Sequence, residues 1–318
     1  MKKLIKLISI IVVVIGLIVF ISFVNHKIKL KNEDALFKTN GKIVEVNGHH
    51  LNVYLSGNPN SDFTLVFMSG AGTCSPTLDF KTLYSLFEKD YQIAVVEKAG
   101  YGFSDISDIS RDIDTILFET RESLNQAGVT NHKYILFPHS MSGIEALYWA
   151  NKYPNEIKGI VGLDLSVPAA YQNTQINTFL LSAAKFGADI GLTRFLPYLV
   201  DSSSAIKDGN LTEEEKELYK VIFYRRTATT SMINEAKTIK ANAKKLEEVD
   251  TTNVSMLFFI SNGDGTGYSK EEWRSFGVGY LANKQNGKYQ FLDCSHYVHN
   301  IAYQQIYEES IKFINRLK

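Results

Sequence analysis

Short hydrophobic runs alternate with longer amphipathic stretches along most of the chain. The runs cover residues 63–68, 91–96, 134–137, 157–163, 254–260 and 289–292. Their nearly continuous apolar character is typical of parallel strands that are covered on both faces. The stretches between them predict helices at residues 76–88, 113–127, 143–152 and 300–317. Alternating strands and helices indicate an α/β protein with a doubly wound, mostly parallel sheet.

A different pattern precedes the first parallel strand. Residues 42–57 form two short alternating segments on either side of Asn47-Gly48. This dipeptide between two β-type segments is a strong signal for a hairpin turn. We therefore expect an antiparallel hairpin at the start of an α/β core that comprises residues 41–165 and 251–318.

The interval between these two parts of the core is too long for a single crossover. It predicts helices at 178–186, after the capping box Thr212-Glu213-Glu214-Glu215, and at 230–247. We interpret residues 166–250 as an inserted helical cap. Its aromatic residues either line an apolar pocket or pack the cap on the sheet, and they are Phe179, Phe186, Phe195, Tyr198, Tyr219, Phe223 and Tyr224.

The amino terminus carries a candidate transmembrane segment at residues 1–30. Residues 7–24 are 18 consecutive uncharged positions with lysines on both sides. This length just spans a bilayer core. No small-residue cleavage pattern follows, which favours an uncleaved signal anchor over a cleaved signal peptide; a buried core helix is the alternative. A polar linker is expected at 25–40. We expect a single-pass cell-membrane protein with an extracytoplasmic catalytic domain, although lysines on both sides give only a weak orientation signal.

Composition narrows the class of partner. The chain has 318 residues, of which 45% are hydrophobic, and 34 basic and 34 acidic residues give a formal net charge of zero. There is no basic field to attract nucleic acid, so we expect none as a partner. The two cysteines, Cys74 and Cys294, are too few for a disulfide scaffold or a four-thiolate zinc site. A single bond between them remains open.

Ser140 lies in the sharpest motif of the chain. An apolar strand, a tight turn and a helix follow one another over residues 134–150. Such a turn forces a strained conformation that exposes the serine hydroxyl above the sheet. The segment resembles the nucleophile elbow of the α/β-hydrolase fold family, and the resemblance extends over nearly the whole chain after residue 30. Pro138 and Ser142 depart from the family pattern, which has glycine at both positions.

Two further segments fit this resemblance. The glycine-bearing loop Ser69-Gly-Ala-Gly-Thr73 follows the first parallel strand, where the family places its oxyanion segment. The resemblance implies that the amides of Ala71 and Met141 stabilise the oxyanion. The segment 97–104, Glu-Lys-Ala-Gly-Tyr-Gly-Phe-Ser, looks like the D-x-R-G-x-G-x-S turn of the family, and we interpret it as structural.

The resemblance also implies a histidine base and an acid. His296 follows the last strand and is the expected base, whereas His139 and His299 are expected to pack or cap. Two aspartates remain open as the acid. Asp264 follows the strand after the cap, where most of the family carries this residue, and Asp164 ends the preceding strand, where some lipases carry it. We favour Asp264.

The resemblance implies a serine hydrolase that needs no cofactor or metal, and the candidate amino-terminal segment would anchor it in the membrane. Ser140, His296 and an aspartate would cleave an ester or related acyl bond through an acyl-enzyme. The expected partner is a small acyl substrate, and a lipid-like one is a candidate. Two alternatives stay open: a peptidase or acyltransferase with the same triad, and a noncatalytic binding protein on the same fold. Epoxide hydrolases and dehalogenases would need an aspartate at position 140.

Overall fold

The computed structural model describes all residues from 1 to 318 and contains one eight-stranded sheet with the order β1-β2-β4-β3-β5-β6-β7-β8. The strands are β1 Lys42–Val46, β2 His49–Gly57, β3 Thr64–Met68, β4 Gln92–Glu97, β5 Tyr134–Pro138, β6 Ile157–Leu163, β7 Ser255–Ile260 and β8 Gly287–Phe291. Strand β2 pairs in antiparallel fashion with β1 on one side and β4 on the other, and all other pairs are parallel. This confirms the predicted α/β class and the doubly wound, mostly parallel sheet.

The helices lie between and around these strands. They are α1 Lys2–Asn32, α2 Pro76–Asp79, α3 Lys81–Tyr84, α4 Ile113–Gln126, α5 Ser142–Lys152, α6 Thr178–Asp189, α7 Tyr198–Asp201, α8 Ser204–Lys207, α9 Glu213–Arg226, α10 Thr230–Val249, α11 Lys270–Leu281, α12 Val298–Ile301 and α13 Tyr303–Asn315. Short 3₁₀ segments occur at Pro168–Tyr171 and Leu192–Phe195. The segment between β6 and β7 contains helices and connecting loops but no strand, as the sequence predicts for the cap.

The sheet separates two hydrophobic cores. Every residue of β3, β4 and β5 is buried, because helices cover both faces of these central strands. One core contains Trp149 of α5, and the other contains Phe67, Phe137 and Phe313. At the edge of the sheet, Asn47 and Gly48 both have positive φ (57° and 78°), which is the geometry that the predicted hairpin turn requires.

Two helix predictions need correction, and one helix was missed. The segment predicted as one helix over 76–88 forms the two short helices α2 and α3, which meet at Phe80. The carboxyl-terminal helix is interrupted at Ala302. Helix α11 was not predicted, although its start has a local signal: the Ser269 side chain accepts a hydrogen bond from the Glu272 amide.

Helix α1 extends to Asn32, so much of the predicted linker is helical. It is long and apolar enough to cross a membrane. Among its residues only Ser22 and His26 are buried, and both lie against the cap. The contacts with the cap explain why the helix continues past the apolar run.

A buried ionic cluster ties the cap to the core. Lys98, which follows β4, lies 2.6 Å from the Glu145 carboxylate of α5 and also bonds to Glu235 of α10. The Tyr101 hydroxyl donates to Glu235 Oε2 at 2.9 Å. Burial raises the pKa of Glu145 to about 7, although Lys98 opposes the shift. The segment 97–104 thus carries a structural cluster, in line with its interpretation from the sequence.

Candidate functional site

Ser140 lies in a sharp turn between β5 and α5. Its φ is 54°, a left-handed conformation that is rare for a residue with a side chain. The strain is held by the neighbouring Ser142, whose hydroxyl donates to the Met68 carbonyl at 2.7 Å and accepts from the His139 amide at 3.0 Å. Ser142 is fully buried, whereas Ser140 is partly exposed. Only Ser140 is therefore presented to an incoming molecule.

The departures from the family's glycines are accommodated in this turn. The Ser142 hydroxyl stabilises the turn through its hydrogen bonds to the Met68 carbonyl and from the His139 amide. Pro138 is the last residue of β5 and pairs with Met68, and the ladder continues one residue later through the His139 amide. The close backbone approach falls on Gly143 instead, where an added Cβ would lie 2.3 Å from the Ser166 carbonyl oxygen.

The loop after β3 closes over Ser140. An added Cβ on Gly70 would lie 2.6 Å from the Ser140 Cβ, so only glycine permits this approach. The amides of Ala71 and Met141 donate no hydrogen bond to other protein atoms. Met141 also directly precedes the first turn of α5, where the helix dipole favours negative charge. These two amides are free to bind an anion.

Asp164 is the carboxylate that contacts His296. Its Oδ2 accepts a hydrogen bond from His296 Nδ1 at 2.6 Å. Its Oδ1 accepts from the Ser261 amide at 2.7 Å and from Trp273 Nε1 at 2.8 Å. The Asp164 side chain is almost entirely buried, and its φ of 51° turns the chain back toward the site just after β6 ends.

The preference for Asp264 does not agree with this geometry. Asp264 is exposed, and its carboxylate accepts from the side chain of Asn262 at 2.9 Å. Its contact with His296 is through the backbone, since the His296 amide donates to the Asp264 carbonyl at 3.0 Å. The glycine-rich loop carries the Asp264 side chain outward, whereas β6 and β7 are neighbours and bring Asp164 under the histidine.

The other two candidate histidines, His139 and His299, are buried around His296. His139 Nε2 donates to the His296 carbonyl oxygen at 3.1 Å, and the two rings are 4.5 Å apart. Burial holds the pKa of His139 well below its ordinary value. Burial also lowers the pKa of His299 to about 3, and its ring packs on Phe80 at 4.7 Å. Both are neutral packing residues near neutral pH, as expected from the sequence.

Ser140 and His296 line one cavity of about 560 Å³. Its walls include Ala71, Trp273 and Tyr268, together with the segment 170–174 that leads into the cap. Of the two alternatives for the seven cap aromatics, the pocket lining is excluded for this cavity, because none of them reaches it. Four of them are exposed, namely Phe179, Phe186, Phe195 and Tyr198.

The cysteines do not form the bond that was considered. Both thiols are free; Cys74 is buried and Cys294 partly exposed. Burial raises the pKa of the Cys294 thiol to about 11, which makes it a poor nucleophile at neutral pH. No group of three or more His, Cys, Asp or Glu side chains is arranged to hold a metal ion.

Sequence reasoning missed several residues that shape the site. Trp273 and the Ser261 amide hold the Asp164 carboxylate, and Gly70 sets the distance between the loop and Ser140. The sequence offered a signal for Gly70, which stands in a glycine-bearing loop after a strand. It offered none for Trp273, because its helix is separated from Asp164 by the whole cap.

Comparisons with known proteins extend this description. No protein-family model matches the chain. The uncharacterized protein YbdG of Bacillus subtilis (strain 168) is 35% identical over 323 residues, which cover 99% of this chain and 98% of YbdG. Similar solved structures include the haloalkane dehalogenase DbeA from Bradyrhizobium elkani USDA94, with a TM-score of 0.63, 12% identity and coverage of 87% of this chain and 97% of DbeA.

A second similar structure is the thioesterase domain from the curacin biosynthetic pathway. It has a TM-score of 0.59 and 14% identity, with coverage of 86% of this chain and 99% of the domain. At such low identity these two structures establish the fold alone, and they confirm the α/β-hydrolase resemblance. The chain is therefore an α/β-hydrolase-fold protein that belongs to the same family as YbdG of Bacillus subtilis.

Proposed function

We propose that this protein is a serine hydrolase that cleaves an ester or related acyl bond, with Ser140 as nucleophile, His296 as base and Asp164 as acid. The observation that carries the proposal is the 2.6 Å hydrogen bond to Asp164 from Nδ1 of His296, which lines the same cavity as Ser140. A carboxylate on Nδ1 leaves Nε2 unprotonated, which is the tautomer a general base requires.

In the proposed reaction, Ser140 Oγ attacks the acyl carbon while its proton passes to His296 Nε2. The amides of Ala71 and Met141 stabilise the oxyanion, at about 3–4 kcal/mol for a donor of this kind. The C–O bond to the leaving alcohol then breaks, and His296 returns the proton to that oxygen. Water, deprotonated by His296, hydrolyses the acyl-enzyme and regenerates Ser140. No cofactor or metal takes part.

The alternatives involve the same residues. A peptidase or acyltransferase would use the same acyl-enzyme with a different leaving group or acceptor. A noncatalytic binding protein would have no need for an aligned base and acid beside a strained serine. Dehalogenation by an aspartate nucleophile is disfavoured, since a serine occupies position 140.

A fluorophosphonate probe tests the proposal on the full chain in detergent micelles. We expect one covalent adduct on Ser140, and none in the Ser140→Ala variant. Ser166→Ala is the matched control, because Ser166 lines the same cavity and should not affect labelling. An adduct on another serine, or labelling that survives Ser140→Ala, contradicts the assignment. A panel of acyl esters and amides then separates the esterase from the peptidase.

We also propose that α1 is a single-pass membrane anchor with the catalytic domain outside the cytoplasm. Its length, its apolar run and its almost complete exposure support this proposal. Fusion of alkaline phosphatase, which is active only after export, to the carboxyl end of the full chain tests the orientation. An active phosphatase supports it, and an inactive phosphatase in a membrane-extracted fusion contradicts it.

A further inference from the structure

Helix α6 of the cap is apolar but buries almost nothing. Of its 12 residues only Ala188 is buried. Phe179 is 82% exposed and Leu180 63%. A helix of this composition in a soluble domain normally turns its apolar side inward, so the informative feature here is the exposed patch.

The exposed surface continues over the next elements along the chain. Between the end of α1 and the carboxyl terminus, the protein has 16 exposed large hydrophobic side chains, and eight of them lie between residues 179 and 199. The other eight are spread from Leu36 to Ile301, with no more than two on any one element. We call the clustered set the apolar cap face, which consists of Phe179, Leu180, Phe186, Leu192, Phe195, Leu196, Tyr198 and Leu199.

The apolar cap face is fixed beside α1 by specific contacts. The Ser22 hydroxyl donates to the carbonyl of Ile190, which lies between α6 and the 3₁₀ segment, at 2.7 Å. Arg194 Nε donates to His26 Nδ1 at 2.8 Å, and its guanidinium pairs with both oxygens of Glu33 at 2.7 and 2.8 Å. The pairing of this buried arginine is bidentate, which makes it strong and orienting.

A glycine permits the close approach at this contact. Gly191 has a φ of +74°, and an added Cβ would lie 2.3 Å from the Cβ of His26. The backbone of the cap therefore lies directly on α1. The cap and α1 are therefore held together by direct contacts, and not only by the chain that connects them.

These contacts fix the position of the cap along the axis of α1. Ser22 lies inside the uncharged run 7–24, which is about 27 Å long at 1.5 Å per residue and so barely spans a bilayer core. Ile190 is bonded to Ser22, so it stands beside the last turn of that run. The apolar cap face flanks Ile190 on both sides along the chain, and the part of the face next to Ile190 therefore stands near the boundary of the hydrocarbon core.

We propose that the apolar cap face is inserted in the bilayer interface beside α1, where lipid acyl chains cover it. The proposal rests on the membrane anchoring proposed above and goes beyond it, since an anchor alone would leave the cap in water. Insertion of such a face by about 5–10 Å is the usual depth for interfacial apolar surfaces.

Tryptophan reporters in the full chain test the proposal. The chain is reconstituted into phosphatidylcholine vesicles with or without acyl chains brominated near the upper carbons, which quench nearby indoles. Phe179→Trp reports on the apolar cap face, and Phe20→Trp reports on α1. Phe118→Trp is the matched control, because Phe118 is 54% exposed and lies in a surface cleft with Tyr134 at the amino end of β5, which no residue of the apolar cap face lines. The native Trp149 and Trp273 are buried, and the wild-type signal is subtracted.

We expect brominated lipid to remove about half or more of the added emission for Phe179→Trp and Phe20→Trp, and to leave Phe118→Trp unchanged. Quenching of Phe20→Trp without quenching of Phe179→Trp overturns the insertion of the cap while retaining the anchor. A second copy or another protein on this face would give that same result. If Phe20→Trp is also unquenched, the anchoring itself fails, and the inference fails with it.

Discussion

Asp164 Oδ2 and His296 Nδ1 lie 2.6 Å apart, although 132 positions separate the two residues in the chain. The contact exists because β6 pairs with β7, and because the Ser261 amide and Trp273 hold the second carboxylate oxygen. Because these two donors bind Oδ1 of Asp164, its Oδ2 is left to accept from His296. That arrangement orients the imidazole toward the cavity with Ser140.

Asp164→Asn should lower the rate of fluorophosphonate labelling by up to about 10⁴-fold. The amide oxygen can still accept from Ser261 and Trp273, so the fold should survive. The amide nitrogen, however, donates to His296 Nδ1 and moves the ring proton to Nε2, which can then no longer accept the proton of Ser140. Circular dichroism and the labelling rate of the full chain measure the two effects separately.

Asp264→Asn is the matched control for that variant. The exposed Asp264 side chain bonds only to Asn262, and its contact with His296 is through the backbone. We expect labelling within a few-fold of the wild type. A large loss in this variant, together with normal labelling of Asp164→Asn, would reverse the assignment of the acid.

Gly70→Ala should reduce labelling because the new methyl group would lie 2.6 Å from the Ser140 Cβ and 3.0 Å from the His139 carbonyl oxygen. The loop must move, which displaces the Ala71 amide from the oxyanion position. Gly72→Ala is the comparison: its added Cβ meets no atom within 4 Å, but its φ of +73° costs about 1–2 kcal/mol for alanine. We expect Gly72→Ala to lower stability but not the labelling rate; equal labelling of both variants would contradict the role of Gly70.

Lys98→Met should destabilise the protein by about 3–5 kcal/mol, because it leaves the buried carboxylates of Glu145 and Glu235 without their cation. Urea unfolding of the full chain in detergent micelles measures the change. Adding Glu145→Gln and Glu235→Gln to the same variant removes both unpaired charges and should recover much of the loss. A triple variant that is less stable than Lys98→Met would show that the cluster acts through packing and not through charge.

Asp79 should make stability depend on pH. Burial raises its pKa from an ordinary 3.8 to about 8, so the folded protein holds this proton more tightly than the unfolded chain does. The resulting stability is complete below pH 3.8 and is lost as the pH rises through about 8. Asp79→Asn cannot ionise, and its stability should rise relative to the wild type between pH 5 and pH 9.

Urea unfolding across that pH range measures the difference between the two proteins. Asp90→Asn is the control, since it makes the same side-chain change at an exposed position. A difference that stays constant with pH for Asp79→Asn would mean that Asp79 is ionised in the folded protein.

Local patterns in the sequence determined the fold class and the main elements of this protein. Near-continuous apolar runs are sufficient to predict buried parallel strands, and Asn47-Gly48 is sufficient to predict a tight hairpin, because both depend on neighbouring residues. The same holds for Ser140, since a small-residue turn between a buried strand and a helix constrains its own backbone. The apolar run of α1 likewise follows from composition alone.

Only the tertiary structure distinguished Asp164 from Asp264. Both follow strands that end at the same edge of the sheet, so sequence position is equivalent for the two. The choice depends on the direction of each side chain, which the φ of 51° at Asp164 and its bonds to Ser261 and Trp273 decide. The sequence of the cap is ambiguous in the same way. Phe179 and Phe186 are apolar whether they line a pocket or face outward. Which of the two holds depends on where Ile190 and Arg194 dock on α1. Contacts between residues far apart in sequence carry no local signal, and so only the folded chain shows them.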